Sequence, residues 1–219
     1  EAWRAQMGGA AENVVLAPGL EFNIRAWPGG GALANDLESV RGFAAACFHR
    51  GADQIYLFNF MDSETIPVSG SDYRILLEKG MDRDAVTRLP RRHVAAFRDT
   101  VPAGFPNGAQ LPLETAAGGA IRLNIGPAPE KGKAVLLLGL AARDGLDSAV
   151  INATLNGRPC APAADHPSPE KYPGTARAVQ WECPVDALTP GYNDFGVTQD
   201  GGTPGQQAVW AELRIVPEN

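Results

Sequence analysis

With 219 residues, 44% of them hydrophobic and 20% charged, the chain has room for one large domain or two small ones and the composition of an ordinary globular protein. Its 19 basic and 25 acidic residues leave a net charge of −6, which argues against nucleic acid as a partner, and the basic cluster at 88–92 is too short to change that. No apolar run nears the roughly 20 residues that span a bilayer, so no membrane partner is expected, and no basic-then-apolar signal sequence opens the chain.

In chain order, residues 1–7 read as the end of a helix stopped by Gly8 and Gly9. Residues 13–22, NVVLAPGLEF, read as a buried strand ending near Glu21. The following IRAWPGGG is a loop by composition, in which Arg25 and Trp27 are placed to hold a polar ring-shaped ligand and Gly29, Gly30 and Gly31 to let a backbone come close. A mobile surface loop is the competing reading, and the spacing of a dinucleotide fingerprint is missing. Asn35 or Asp36 caps a helix carrying Leu37, Val40, Phe43, Ala44, Cys47 and Phe48 at helical spacing, and Gly51 ends it.

The stretch 51–62, GADQIYLFNFMD, is an almost unbroken apolar run bounded by turn and polar residues, the pattern of a strand buried on both faces of a parallel sheet. Ile55, Leu57 and Phe58 are then core. Asn59 and Asp62, at the strand's C-terminal end, become substrate-binding candidates, because α/β barrels build their sites there. Loop capping is the alternative for both. Strand, loop, helix and strand make one βαβ unit, right-handed by the general rule. A short helix at 72–79 closes on Gly80, and Asp82 caps another that Pro90 terminates.

From about residue 92 the texture changes. HVAAFRDT, QLPLE, AIRLNIG, AVLLLGLAA, AVINATLNG, ARAVQWECPV, YNDFGVT and AVWAELRIV are short runs with period-two alternation separated by turn residues, which predicts an antiparallel sandwich or jelly roll. The fold class expected is thus an α/β segment over 1–91 followed by an all-β sandwich over 92–219. The proline-rich segment 159–174 is expected as a long exposed loop.

Three cysteines without a C-x-x-C pair argue against zinc, and no metal or cofactor is expected. Cys160 and Cys183 pair if the protein is exported, and Cys47 packs in its helix. His49, His93 and His166 are isolated and read as surface or packing residues. Asp144 and Asp147 fall short of a calcium ligand set. Trp181, Tyr192, Phe195 and Trp210 offer rings for stacking on sugars, but aromatic residues in a sandwich are more often core.

The order VVLAPGLEF, helix, GADQIYLFNF, DYRILLEKGM, RRHVAAFRDT resembles the last two βα units of a bacterial (β/α)₈-barrel glycoside hydrolase-like protein. The strings TLNG, TPGYNDFGVT and AVWAELRIV resemble the galactose-binding-like jelly roll that often follows such a barrel. The resemblance implies a TIM-type barrel remnant, an oligo- or polysaccharide partner and a secreted or periplasmic location. In retaining glycosidases with this barrel the nucleophile ends the seventh strand, a position that Glu21 matches, and the acid/base ends the fourth, which would lie before residue 1. Glycoside hydrolysis takes two carboxyl groups, so the chain alone is expected to be inactive, and Asp62 and Glu64 are the other acids near the mouth. A carboxylate paired with Arg25 is the alternative for Glu21. The apolar faces of an open parallel pair are expected to pack on the chain's own jelly roll, on another copy or on a missing N-terminal barrel portion. A non-catalytic carbohydrate-binding or structural module is the second function class.

Overall fold

A computed structural model describes residues 2–60, 70–98, 104–201 and 204–218. Helix α1 (Ala2–Met7) runs into a 3₁₀ turn (Gly8–Asn13) and is tied down by Arg4, whose Nε donates to the Gly51 carbonyl at 3.2 Å and whose guanidinium pairs with Asp53. Strand β1 (Gly19–Glu21) lies parallel to β4 (Tyr56–Phe58), with Glu21 beside Phe58. Between them come a small hairpin, β2 (Asn23–Ile24) with β3 (Leu33–Ala34), and helix α2 (Leu37–His49). Helices α3 (Gly70–Lys79) and α4 (Ala85–Arg88) follow β4. The order is strand, helix, strand, helix, with parallel strands.

Helix α2 begins where Asp36 and Ser39 form a reciprocal capping box, each side chain accepting the other's backbone N–H at 2.9 Å. Of the two caps weighed from sequence, Asp36 is the one used. The helix buries Val40, Ala44 and Ala45. Gly42 is what lets it lie against the next strand, β5 (Arg91–Val94), because a Cβ there would collide with the Arg92 carbonyl. Gly126 serves the same end on the far side, where a Cβ would strike the Ala45 carbonyl.

The remaining chain forms two antiparallel sheets. One orders β10 (Arg158–Pro159), β9 (Ile151–Leu155), β13 (Tyr192–Gln199) and β7 (Gly119–Asn124). The other orders β11 (Ala161–Pro162), β12 (Arg177–Cys183), β8 (Gly132–Leu140), β14 (Gln207–Pro217) and β5, with β6 (Leu113–Glu114) also on β14. Alternate residues interleave between the sheets: Leu136, Leu138, Trp181, Leu213 and Ile215 from the larger face Ile121, Leu155, Phe195 and Val197 from the smaller. This is the sandwich expected from the alternation. Residue 91 opens β5, so the change of texture near 92 falls at the first strand of the larger sheet.

Several expectations are corrected. Residues 13–18 are not strand, and Val14 and Val15 are exposed, because Pro18 precedes a pairing only three residues long. Nor is the described part of the 51–62 run, residues 51–60, a strand covered on both faces. In a two-stranded sheet one face packs on Phe22, Val40, Phe60 and Leu76 through Leu20 and Leu57. The other leaves Tyr56 57% and Phe58 49% exposed, so Phe58 is not core. The proline-rich segment is not simply a loop. It supplies β10 and β11, and its Tyr172 lies tilted against Trp210 with ring centroids 5.8 Å apart. Trp181, Trp210 and Phe195 are buried, while Tyr192 is exposed with the Arg122 guanidinium 4.5 Å over its ring.

Cys160 and Cys183 are disulfide-bonded, closing a loop with a sequence separation of 23. The loss of unfolded-chain entropy over such a loop is worth about 3 kcal/mol. Denaturant titration with and without reductant should show a loss of that order, and an unchanged midpoint would deny the bond a stabilising role.

His93 is the buried histidine, with Nε2 lacking a hydrogen-bond partner and its ring bonded to the Asn124 backbone. Burial, with Arg91 adding repulsion, lowers its pKa from 6.5 to about 3. The unfolded chain therefore binds a proton that the folded one refuses. Stability is complete above pH 6.5 and falls as the pH drops from there toward 3, with a slope of up to about 1.4 kcal/mol per pH unit. His93→Gln should flatten that part of the stability profile, and an unaltered slope would remove His93 as its source.

Candidate active-site cleft

Parallel pairing sets the C-terminal ends of β1 and β4 side by side, which brings Glu21 next to Asn59. Asn59 leaves the strand with φ 60°, a left-handed conformation that asparagine tolerates better than most residues. Its Nδ2 donates to both Glu21 carboxylate oxygens, at 3.0 and 3.2 Å. The Phe22 N–H donates to Glu21 Oε1 at 3.0 Å as well as to the Phe58 carbonyl at 3.1 Å. The carboxylate is thus held by neutral donors at a strand end and is only half-buried.

Asn35 fixes the backbone beneath. Its Nδ2 donates to the Glu21 carbonyl at 2.8 Å, and its N–H donates to the Phe22 carbonyl at 2.8 Å. Beside Glu21 a cleft of about 580 Å³ opens between β1, the β2 strand and residues 96–98, with Asn23, Arg25, Asn35 and Arg98 on its polar wall and Phe43 and Phe97 on its apolar one. Among the described lining residues Glu21 is the single acid and is opposed by two arginines. Such a wall can orient hydroxyl groups and receive an electron-poor centre, but one carboxylate cannot both protonate a leaving group and attack.

The structure brings together Glu21, Arg25 and Asn59 of the residues singled out from sequence, and it separates Trp27. Arg25 is exposed on the cleft wall and forms no ion pair with Glu21, so the alternative of a Glu21–Arg25 pair gives way to Asn59. Trp27 packs against the sandwich core and folds over its own loop, where a Cβ at Gly29 or Gly30 would meet the indole. Gly31 makes room for Pro173. The triple glycine thus makes room for the rings of Trp27 and Pro173. Asp62 and Glu64 lie outside the described residues.

Sequence reading missed Asn23, Asn35 as a latch, and Arg98. Asn35 carried a signal, its place directly before the helix cap. Arg98 had none, since its place in the cleft depends on how residues 95–98 leave β5. Among the described residues no group of three or more His, Cys, Asp or Glu side chains could hold a metal, and no helix is long and apolar enough to cross a membrane.

Asn59→Asp sets a second carboxyl group in hydrogen-bond contact with Glu21. Two such groups share a proton, so the pair should titrate with apparent pKa values separated by at least about one unit in carboxyl-carbon NMR. Two superimposed, independent titrations would mean that the side chains do not meet.

Neither a family model nor a curated protein matches the chain. Solved structures similar to it include a β-porphyranase of glycoside hydrolase family 86 from the human gut bacterium Bacteroides plebeius, at 10% identity and a TM-score of 0.37. They also include wild-type and variant forms of BuGH86 in complex with neoagarooctaose, at 16% and 18% identity and TM-scores of 0.34 and 0.35. Each overlap covers 57% of this chain, and the chain spans 18–20% of the length of those structures.

Proposed function

We propose that the chain is the C-terminal portion of a carbohydrate-active, glycoside hydrolase-like protein, with Glu21 as its substrate-facing carboxylate. The observation that carries this reading is the Glu21 carboxylate at the end of a parallel strand, held by Asn59 and opening on a cleft walled by Arg25, Asn23, Asn35 and Arg98. Strand ends of parallel sheets are where α/β proteins place such groups. Residues 1–91 are read as the last βα units of a (β/α)₈-type barrel and 92–219 as a jelly roll. The exposed Tyr56 and Phe58 suit a sheet face covered by further elements, whether from a barrel portion or another copy. The partner is an oligo- or polysaccharide, and Arg25, Asn59 and Asp62 are assigned to substrate contact. The Cys160–Cys183 bond fits a secreted or periplasmic location, where disulfides persist.

A second reading, a non-catalytic carbohydrate-binding or structural module, is favoured by the single acid on the described cleft wall. The two are separated by activity. The chain by itself should show no turnover above background on aryl glycosides or polysaccharides, since the facing acid is not supplied by the described wall. In a longer protein containing it, Glu21→Gln should abolish hydrolysis while changing stability by less than about 1 kcal/mol. Turnover by the chain alone would sink the partial-site reading, and a fully active Glu21→Gln protein would remove Glu21 from catalysis.

A further inference from the structure

On the outer face of the larger sheet, sharing no lining residue with the cleft, a recess of about 300 Å³ lies between the start of α2 and strands β12, β8, β14 and β5. The register places Gln180, Leu137 and Glu212 in one row across three strands, with Arg214 and Arg92 in the next. Tyr172 closes one end, its ring held against Trp210.

The hydrogen bonds of this recess are only partly used. Glu212 is 3% exposed, and its Oε2 accepts from Arg92 Nη1 at 2.9 Å and from Trp210 Nε1 at 3.1 Å. Its Oε1 accepts no hydrogen bond from a described residue, which leaves it available to whatever enters the recess. Arg214 spends Nε and Nη2 on Glu38, each at 2.7 Å, leaving Nη1. Gln180 spends Nε2 on the Asp165 carbonyl at 2.8 Å, leaving its oxygen, and the Tyr172 hydroxyl is unpartnered among the described residues. Free donors and acceptors thus line the recess beside an aromatic ring.

Charge narrows the ligand. Asp36, Glu38 and Glu212 outnumber Arg92 and Arg214 by one, which repels an anion, and each acid is already in an ion pair with one of the two arginines. Neither a strong anion nor a metal ion finds an uncommitted charge, apart from the half-used Glu212 carboxylate. Burial, ahead of the opposing pull of Arg92, raises the Glu212 pKa, and burial together with Glu212 pushes the Tyr172 phenol up to about 12. Tyr172 therefore stays a hydroxyl donor at neutral pH. At this volume, the small end of ligand pockets, one ring fits.

We propose that this recess is a binding site for a single neutral polyhydroxylated ring, such as one pyranose residue, with Glu212 Oε1, the Tyr172 hydroxyl, Gln180 Oε1 and Arg214 Nη1 meeting its hydroxyl groups. It is separate from the Glu21 cleft and does not depend on the reading of that cleft.

The indole N–H of Trp210 reports on the site through its bond to Glu212. Titrating the chain with D-galactose, D-glucose and D-xylose, with the open-chain polyol sorbitol as control, should move that NMR resonance saturably for at least one pyranose, with a Kd on the order of 1 mM. Tyr172→Phe, which keeps the ring on Trp210, should weaken binding about tenfold, as expected for one buried hydrogen bond to a charged network. Glu21→Gln should leave the Kd unchanged, which keeps the outcome independent of the cleft. No saturable shift with any pyranose overturns the proposal. So does equal binding of sorbitol, or a shift that Tyr172→Phe in its folded state leaves intact.

Discussion

Arg92 is 12% exposed where α2 meets the larger sheet, and its guanidinium is divided between two carboxylates from distant parts of the chain, Asp36 at 2.8 Å and Glu212 at 2.9 Å. Burial alone would lower its pKa, but Glu212 and Asp36 together push it upward. Glu212 and Asp36 also compete in their responses. Buried Glu212 is pushed up, whereas Asp36, its side chain 56% exposed, is held down by Arg92 and the Ser39 N–H. The Arg92–Glu212 pair is buried, so removing Arg92 strands the Glu212 charge at about 3–5 kcal/mol, whereas the exposed Asp36 adds about 1 kcal/mol or less. The effect of the triad is positional. It ties the first turn of α2 to β5 and β14, and through α2 it fixes where β1 and β4 stand relative to the sandwich.

Close backbone approach makes that tie possible. Only a residue without a side chain can stand at 42, where the Arg92 carbonyl passes, and at 126, where the Ala45 carbonyl does. Two glycines therefore let one helix sit against a sheet edge and a turn at once, and the ion triad locks the rotation that remains. The cleft beside Glu21 is a by-product of this docking. Its floor is Phe43 on α2, and its walls come from β1 on one side and residues 96–98 beyond β5 on the other.

Much of the sandwich was legible in the sequence because each strand buries one face, and a period of two survives in residues such as Leu136, Leu138 and Leu140. The α/β segment was read less well. A long apolar run usually means burial on both faces, and here a pair of strands has one face covered, so Tyr56 and Phe58 stand in the open. Glu21 and Asn59 were visible as polar residues at strand ends, and their contact followed from parallel pairing. The placement of Trp27 was not legible, because composition cannot tell whether a ring faces outward or folds over neighbouring glycines. The Arg92 triad left no local trace at all, since its members are 56 and 120 residues apart.

Two polar sites thus arise in one chain by opposite routes. At Glu21 the carboxylate is half-exposed and held only by neutral donors, Asn59 Nδ2 and the Phe22 N–H, so its charge remains available to whatever enters the cleft. At Glu212 the carboxylate is buried, and Arg92 neutralises it through one oxygen while the other remains unmatched. A carboxylate held by neutral donors in an open cleft keeps its oxygens accessible to an electron-poor group. A compensated charge with spare lone pairs favours hydroxyl donors without reaction. The difference lies in the partner of each acid, an amide at Glu21 and a guanidinium at Glu212.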